Sequence, residues 1–263
     1  MITLPTEKST VENYNPKMML IFGLPKSGKS SLMASLESNL IIDLEDGYRA
    51  LPVMKVQARS ANDLFEIRKA ILQKGKELKK KPYRFITLDN ASRLEEMSLI
   101  YAAQLYQQTP MGANWGFLKD KGMFVKDANG NKVIDPKADV RQLPNGSGYL
   151  YLRQAIKQLI EMFIPLCGTV ILVCHVKDKQ ITKNDTEMSQ MELDLAGKTG
   201  NILSGQADAI GYVYREGTKT YLSFEGGDNI IREARSPHLR NKKFVIADSS
   251  KGEPEFNASQ LFV

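Results

Sequence analysis

Gly23-Leu24-Pro25-Lys26-Ser27-Gly28-Lys29-Ser30 sets two glycines five positions apart, and Lys29, Ser30 and Ser31 follow the second glycine. The spacing fits G-x-x-x-x-G-K-[ST]. Glycine at both ends lets the chain curl until backbone N–H groups converge on one point, a cradle for an anion. A helix starting at Ser30 aims further free N–H groups at the same point. Lys29 adds a compact positive charge suited to β- and γ-phosphates, and the Ser30 hydroxyl is a hard oxygen ligand for Mg²⁺. Gly23, Pro25, Lys26, Ser27, Gly28, Lys29, Ser30 and Ser31 therefore read as a phosphate loop for ATP with Mg²⁺. A glycine-rich turn without a ligand is the plain alternative. The apolar run before the loop and the helical run after it argue against that.

Such a loop needs partners. An acid that orients the metal belongs at the end of a neighbouring apolar strand, and Asp89 closes RFITLD. A second acid must polarise the attacking water. IIDLEDG offers Asp43, Glu45 and Asp46, of which one can instead cap the following turn; Glu45 is preferred. His175 ends VILVCH. A polar group there points into the crevice beyond the carboxyl ends of the strands. It can sense the γ-phosphate and pass the signal to the segment that begins at Lys177, although a strand-end histidine is equally compatible with a purely structural part. His238 lacks such a context and reads as a surface residue.

The elements that must hold these groups are legible as periodic runs. MMLIF (18–22), NLIID (39–43), RFITLD (84–89) and GTVILVCHV (168–176) are short apolar strands. Helical spacing runs through 30–38, 60–80, 92–108 and 148–163, with Ser60 or Asn62 as the cap of the second. Strands that alternate with helices, and stay apolar without alternation, predict a parallel sheet covered on both faces. The last third changes character. DAIGYVYRE, KTYLSFEG and KKFVIAD are short strands joined by turns such as EGTK and GGDN, an antiparallel meander added to the sheet edge. An insertion at about 109–147 contains MFVKDANGNKVID, a hairpin around Asn129-Gly130. The polar stretch 177–190 has no periodicity and, with the insertion, reads as a loop region. The expected organisation is a polar arm over 1–17 and one domain over 18–263.

Composition sets the outer limits. The chain has 263 residues, 42% apolar and 25% charged, enough for a buried core. No apolar run reaches the roughly 20 residues that span a bilayer, and MITLPTEKSTVENYNP has no apolar leader segment. A cytoplasmic protein without membrane partners is expected. Cys167 and Cys174 are the only cysteines, which fits a reducing compartment and argues against a structural disulfide or a zinc site. A net charge of +6 points to an anionic partner, with general solubility as the plain alternative.

The order of these blocks resembles the RecA-like P-loop ATPase core: the loop with Lys29, then IIDLEDG, FITLDNAS, VILVCHVK, a polar stretch and ADAIGYVYRE. The glutamate two residues past the aspartate of the second strand is where RecA-type proteins keep their water-activating acid, so the resemblance favours Glu45. The chain resembles compact phage nucleotide-binding proteins of that superfamily, some of them annealing-type recombinases.

The resemblance implies an α/β, RecA-like ATPase acting on single-stranded DNA in recombination, annealing or replication-associated repair. It implies a homo-oligomer, a head-to-tail filament or ring, in which a neighbour's basic residues reach the nucleotide. Arg232 and Arg235 in IIREARSPHL match that late segment. It also implies DNA-contacting loops. Lys177, Lys179 and Lys183 fall in one, and Trp115, Phe117, Lys119, Lys121, Phe124 and Lys126 near another, where the alternative is a self-packed hairpin. KGKELKKK (74–81) reads as a solvated face, with a phosphate-backbone patch as the other reading. The alternatives to a recombinase are a helicase-type motor and a nucleotide-gated scaffold or loader with negligible turnover.

Overall fold

The computed structural model describes residues 6–7, 10, 12–183, 186–227, 231–250 and 252–263, with the backbone alone over the strand residues among 179–190. The N-terminal arm and the GGDN turn therefore lie partly outside the described residues. In chain order the elements are β1 (Met18–Phe22), α1 (Lys29–Ala34), β2 (Asn39–Asp43), β3 (Met54–Gln57), α2 (Ala61–Leu78), β4 (Phe85–Asp89), α3 (Ala91–Gln107), β5 (Lys119–Asp120), β6 (Met123–Phe124), α4 (Gly148–Glu161), β7 (Thr169–Cys174), β8 (Val176–Lys183), β9 (Thr186–Leu193), α5 (Thr199–Gln206), β10 (Ala209–Glu216), β11 (Lys219–Ser223), β12 (Glu233–Ala234) and β13 (Lys243–Asp248).

The main sheet runs β13-β11-β10-β1-β7-β4-β2-β3, with β12 also paired to β10. From β10 to β3 every pairing is parallel. The pairings of β10 with β11 and β12, and of β11 with β13, are antiparallel. This is the expected α/β architecture, a mainly parallel sheet with antiparallel C-terminal strands. The uninterrupted apolar runs follow from burial on both faces. Leu20, Ile42, Leu88 and Leu172 face Leu64 of α2, Leu94 of α3 and Leu152 of α4. Met19, Ile21, Ile171 and Val173 face Leu32 and Met33 of α1, with Ala258 and Leu261 of the C-terminal segment. Each such fully buried side chain contributes about 1.5–3 kcal/mol of hydrophobic stabilisation.

Several boundaries differ from expectation for local reasons. Ser60 caps α2 in a reciprocal box with Asp63, so Ser60 rather than Asn62 starts the helix. The first helix stops at Ala34 rather than Ser38, with Ser35 as its cap. The expected loop at 177–190 is instead the antiparallel hairpin of β8 and β9. Its ladder is satisfied by its own backbone, so it needs no apolar alternation. In the insertion, β5 pairs with β6, and the following turn accepts the backbone N–H groups of Asn129 and Asn131 on the Asp127 carboxylate, each at 2.9 Å. Among the described residues no helix is long and apolar enough to cross a membrane.

Parallel pairing puts the carboxyl ends of β1, β2, β4, β7 and β10 on one edge. The order places β7 between β1 and β4, so whatever follows β7 lies between whatever follows the other two.

Candidate active site

Gly23 follows β1, and an added Cβ there would lie 2.4 Å from the Val213 carbonyl oxygen of β10, so only glycine fits. Gly28 precedes α1 with φ of 106°, a left-handed conformation that favours glycine. Between them the loop turns back on itself, with Ser27 N–H donating to the Leu24 carbonyl at 3.2 Å. Lys29 is nearly buried. Its ammonium donates to the carbonyls of Gly23 at 2.7 Å and Leu24 at 2.8 Å. Burial pulls its pKa below the ordinary lysine value, and the nearby Asp89, Cys174 and Glu45 act against that fall.

The acid turn after β2 sorts its three carboxylates. Asp43 accepts from Glu45 N–H at 3.2 Å, Gly47 N–H at 3.1 Å and Tyr48 N–H at 3.3 Å. It is the acid that organises the turn. Asp46 is hydrogen-bonded by the Arg49 guanidinium, which holds its carboxyl below the usual range. Asp43 and Glu45 both line the cleft, and Glu45 Oε2 lies 3.8 Å from His175 Nε2.

Asp89 ends β4 directly beside Asp43 in register. Burial raises its pKa, and a hydrogen bond from Tyr48 opposes the rise. That Tyr48 hydroxyl donates to Asp89 Oδ2 at 2.5 Å. The phenol is itself pushed far above its ordinary pKa, mainly by burial, and so remains protonated. The neighbouring Asn90 caps α3 by accepting from Arg93 N–H at 3.0 Å on Oδ1. This fixes its amide, so Nδ2 is the donor to His175 Nε2 at 2.8 Å. His175 then carries its proton on Nδ1. Its backbone carbonyl accepts from Asp194 N–H, tying the foot of the β8–β9 hairpin to this residue.

One cleft of about 270 Å³ is lined by Pro25, Lys26, Gly28, Lys29, Ser30, Ser31, Asp43, Glu45, Gly47, Tyr48, Asp89, His175 and Arg215. Most of the expected loop residues and Glu45, Asp89 and His175 thus meet. Gly23 and Ser27 form the loop behind them without lining the cleft. Three participants escaped the sequence reading. Tyr48 carried a weak signal, an aromatic in an acid turn. Asn90 was recognisable only as the residue after Asp89. Arg215 lies in a late strand far along the chain and gave no signal.

The residues present fit ATP and Mg²⁺. Lys26, Lys29, Ser30 and Ser31 line the cleft as donors suited to phosphate oxygens. Ser30 and Asp89 offer hard oxygens. Among the described residues no group of three or more His, Cys, Asp or Glu could hold a metal.

Arg232 and Arg235 lie elsewhere. They line a second cleft of about 760 Å³ beside the amino end of β10 and α5. Arg232 Nε donates to the Glu225 carbonyl. Arg235 donates to the Gly205 carbonyl at 2.7 Å and pairs with Asp208 at 3.6 Å. The insertion's aromatics have partners within the chain. Trp115 stacks edge-on with Tyr106, Phe117 packs against Phe124, and Lys119 and Lys132 sit over Phe124. This is the self-packed alternative rather than an open stacking platform. Lys177 donates to the Leu195 carbonyl at 2.8 Å, while the side chains of Lys179 and Lys183 lie outside the described residues. At 74–81, Lys74 sits over the Tyr83 ring and Lys81 donates to the Cys167 carbonyl.

A protein-family model described as an AAA domain matches residues 15–236. The solved structure titled "Crystal structure of the RadB recombinase" is similar to the chain at 12% identity, covering 89% of each chain with a TM-score of 0.41. No residue role follows from a likeness at that level. No curated protein matches the chain.

Proposed function

The chain belongs to the AAA-domain family of nucleotide-hydrolysing P-loop proteins, and on that premise we propose that it is a Mg²⁺-dependent, RecA-like ATPase acting on single-stranded DNA. The observation that carries the reading is the convergence of Lys29, Ser30, Glu45, Asp89, His175 and Arg215 on one cleft at the carboxyl ends of the parallel strands. Ser30 and Asp89 would hold Mg²⁺, which when bound neutralises charge on the β- and γ-phosphates. Lys29 turns from its two loop carbonyls towards the same oxygens. Glu45 accepts a proton from the attacking water as the γ-phosphoryl group passes from ADP to water. Positioning and charge stabilisation supply the catalysis.

His175 joins the Glu45 side of the cleft to Asn90 and to the foot of the β8–β9 hairpin. Loss of the γ-phosphate would reach that hairpin through it. Arg232 and Arg235 are proposed to serve a neighbouring molecule in a head-to-tail oligomer. Action on DNA in recombination, annealing or repair, in a phage setting, rests on the net charge of +6 and on the family resemblance.

Steady-state ATP hydrolysis, with and without single-stranded DNA over a salt series, tests the function. Turnover that rises with DNA, by an amount falling steeply with salt, is expected. Trace turnover indifferent to DNA would replace the enzyme with a nucleotide-gated scaffold.

A further inference from the structure

Tyr48 has no part in the chemistry described so far, yet it is a buried polar side chain that lines the cleft. Its ring is 1% exposed and packs in the core on the α1 face of the sheet. Its backbone N–H is held by the Asp43 carboxylate. The phenol is therefore anchored at both ends before any ligand arrives. At its tip the hydroxyl donates to Asp89 Oδ2, and Ser30 lines the same cleft as Tyr48 and Asp89. One buried side chain thus ties the turn after β2 to the end of β4. Among the described residues, no other side chain hydrogen-bonds the Asp89 carboxylate.

We propose that Tyr48 is a positioning residue for the divalent cation, its hydroxyl fixing Asp89 as an oxygen ligand in the cleft that Ser30 also lines. This rests on the reading of the cleft as a Mg²⁺–nucleotide site. Groups behind metal ligands fix their orientation, and losing one typically weakens metal binding about 10–100-fold. Here the need is acute because Asp89 is buried. A buried carboxylate needs a hydrogen-bond donor, and the Tyr48 hydroxyl supplies it. A tyrosine suits the task better than a serine, because its ring fixes where the oxygen sits.

Tyr48→Phe removes the oxygen and keeps the ring. Calorimetric titration with ATP, once with Mg²⁺ and once with EDTA, gives the gain in affinity that the metal brings. That gain should shrink by about tenfold or more in the variant. Mn²⁺ binding followed by electron paramagnetic resonance in the presence of ATP should weaken in parallel. In an Asp89→Asn background, removing the hydroxyl should add little, because its effect runs through the carboxylate. A metal-dependent gain that is unchanged or larger in Tyr48→Phe overturns the proposal, as does an equal loss with Mg²⁺ and with EDTA. A wild-type protein whose ATP affinity ignores Mg²⁺ removes the reading of the cleft itself, and this proposal with it.

Discussion

Two clefts of this molecule differ in size and in how their charges are held. The smaller, about 270 Å³, gathers charged and polar side chains that contact one another: Tyr48 with Asp89, Asn90 with His175, His175 with Glu45. The larger, about 760 Å³, contains three arginines tied to backbone carbonyls: Arg232 to Glu225, Arg235 to Gly205, Arg240 to Ala234. These guanidinium groups are held mainly by main chain, with Arg235 also paired to Asp208 at 3.6 Å. Side chains that bind each other must rearrange together when a ligand enters. Volume alone therefore does not characterise the two clefts; the way their side chains are held does.

The largest test of that contrast lies within the smaller cleft. Lys29→Ala should lower ATP turnover by about a hundredfold or more, and Glu45→Gln should do so by roughly a hundredfold while ATP still binds, as calorimetry would register. Asp43→Asn, two residues from Glu45, should act differently. It loosens the turn that holds Tyr48 and should cost about 1–3 kcal/mol in denaturant unfolding. If Asp43→Asn spared stability and Glu45→Gln spared turnover, the division of labour between the two acids would be wrong.

A middle-sized effect separates the clefts themselves. Arg215→Ala should weaken turnover about tenfold at any protein concentration, because Arg215 lines its own chain's cleft. Arg232→Ala and Arg235→Ala should instead flatten a rise of turnover per chain with protein concentration. Equal, concentration-independent losses in all three variants would erase the distinction.

The smallest effect is a change in labelling rate. Both cysteines are buried and free. Burial raises Cys167 to about 11 and Cys174 still further, so both should alkylate slowly at pH 8. Cys174 ends β7, and Asp89 and Lys29 influence its thiol. ATP with Mg²⁺ should slow its labelling further while leaving Cys167 unchanged, as mass spectrometry would read out.

The parts that the sequence disclosed are those where one physical demand dominates. β1 and β2 fall where expected because a strand covered on both faces must be apolar throughout. β3 escaped notice because it is a sheet edge, MKVQ, with three of its four residues exposed. α5, TGNILSGQ, carries two glycines and a weak apolar stripe, so its helix rests on tertiary packing rather than propensity. In the cleft, the loop and the strand-end acids announced themselves by spacing. Among Asp43, Glu45 and Asp46, however, only the hydrogen bonds of the turn separate the roles. Arg215 was invisible for a topological reason. β10 comes late in the chain and becomes a neighbour of the loop only by pairing with β1.

That pairing has a mechanical consequence. At Gly23 the phosphate loop leaves β1 with no side chain between it and the Val213 carbonyl of β10, and Arg215 stands two residues farther along the same strand. With nothing compressible at the joint, a small tilt of the loop is delivered undamped to the strand that carries Arg215. A bulkier residue at position 23 would wedge the two strands apart, injuring the grip on the anion and the aim of the guanidinium in a single stroke.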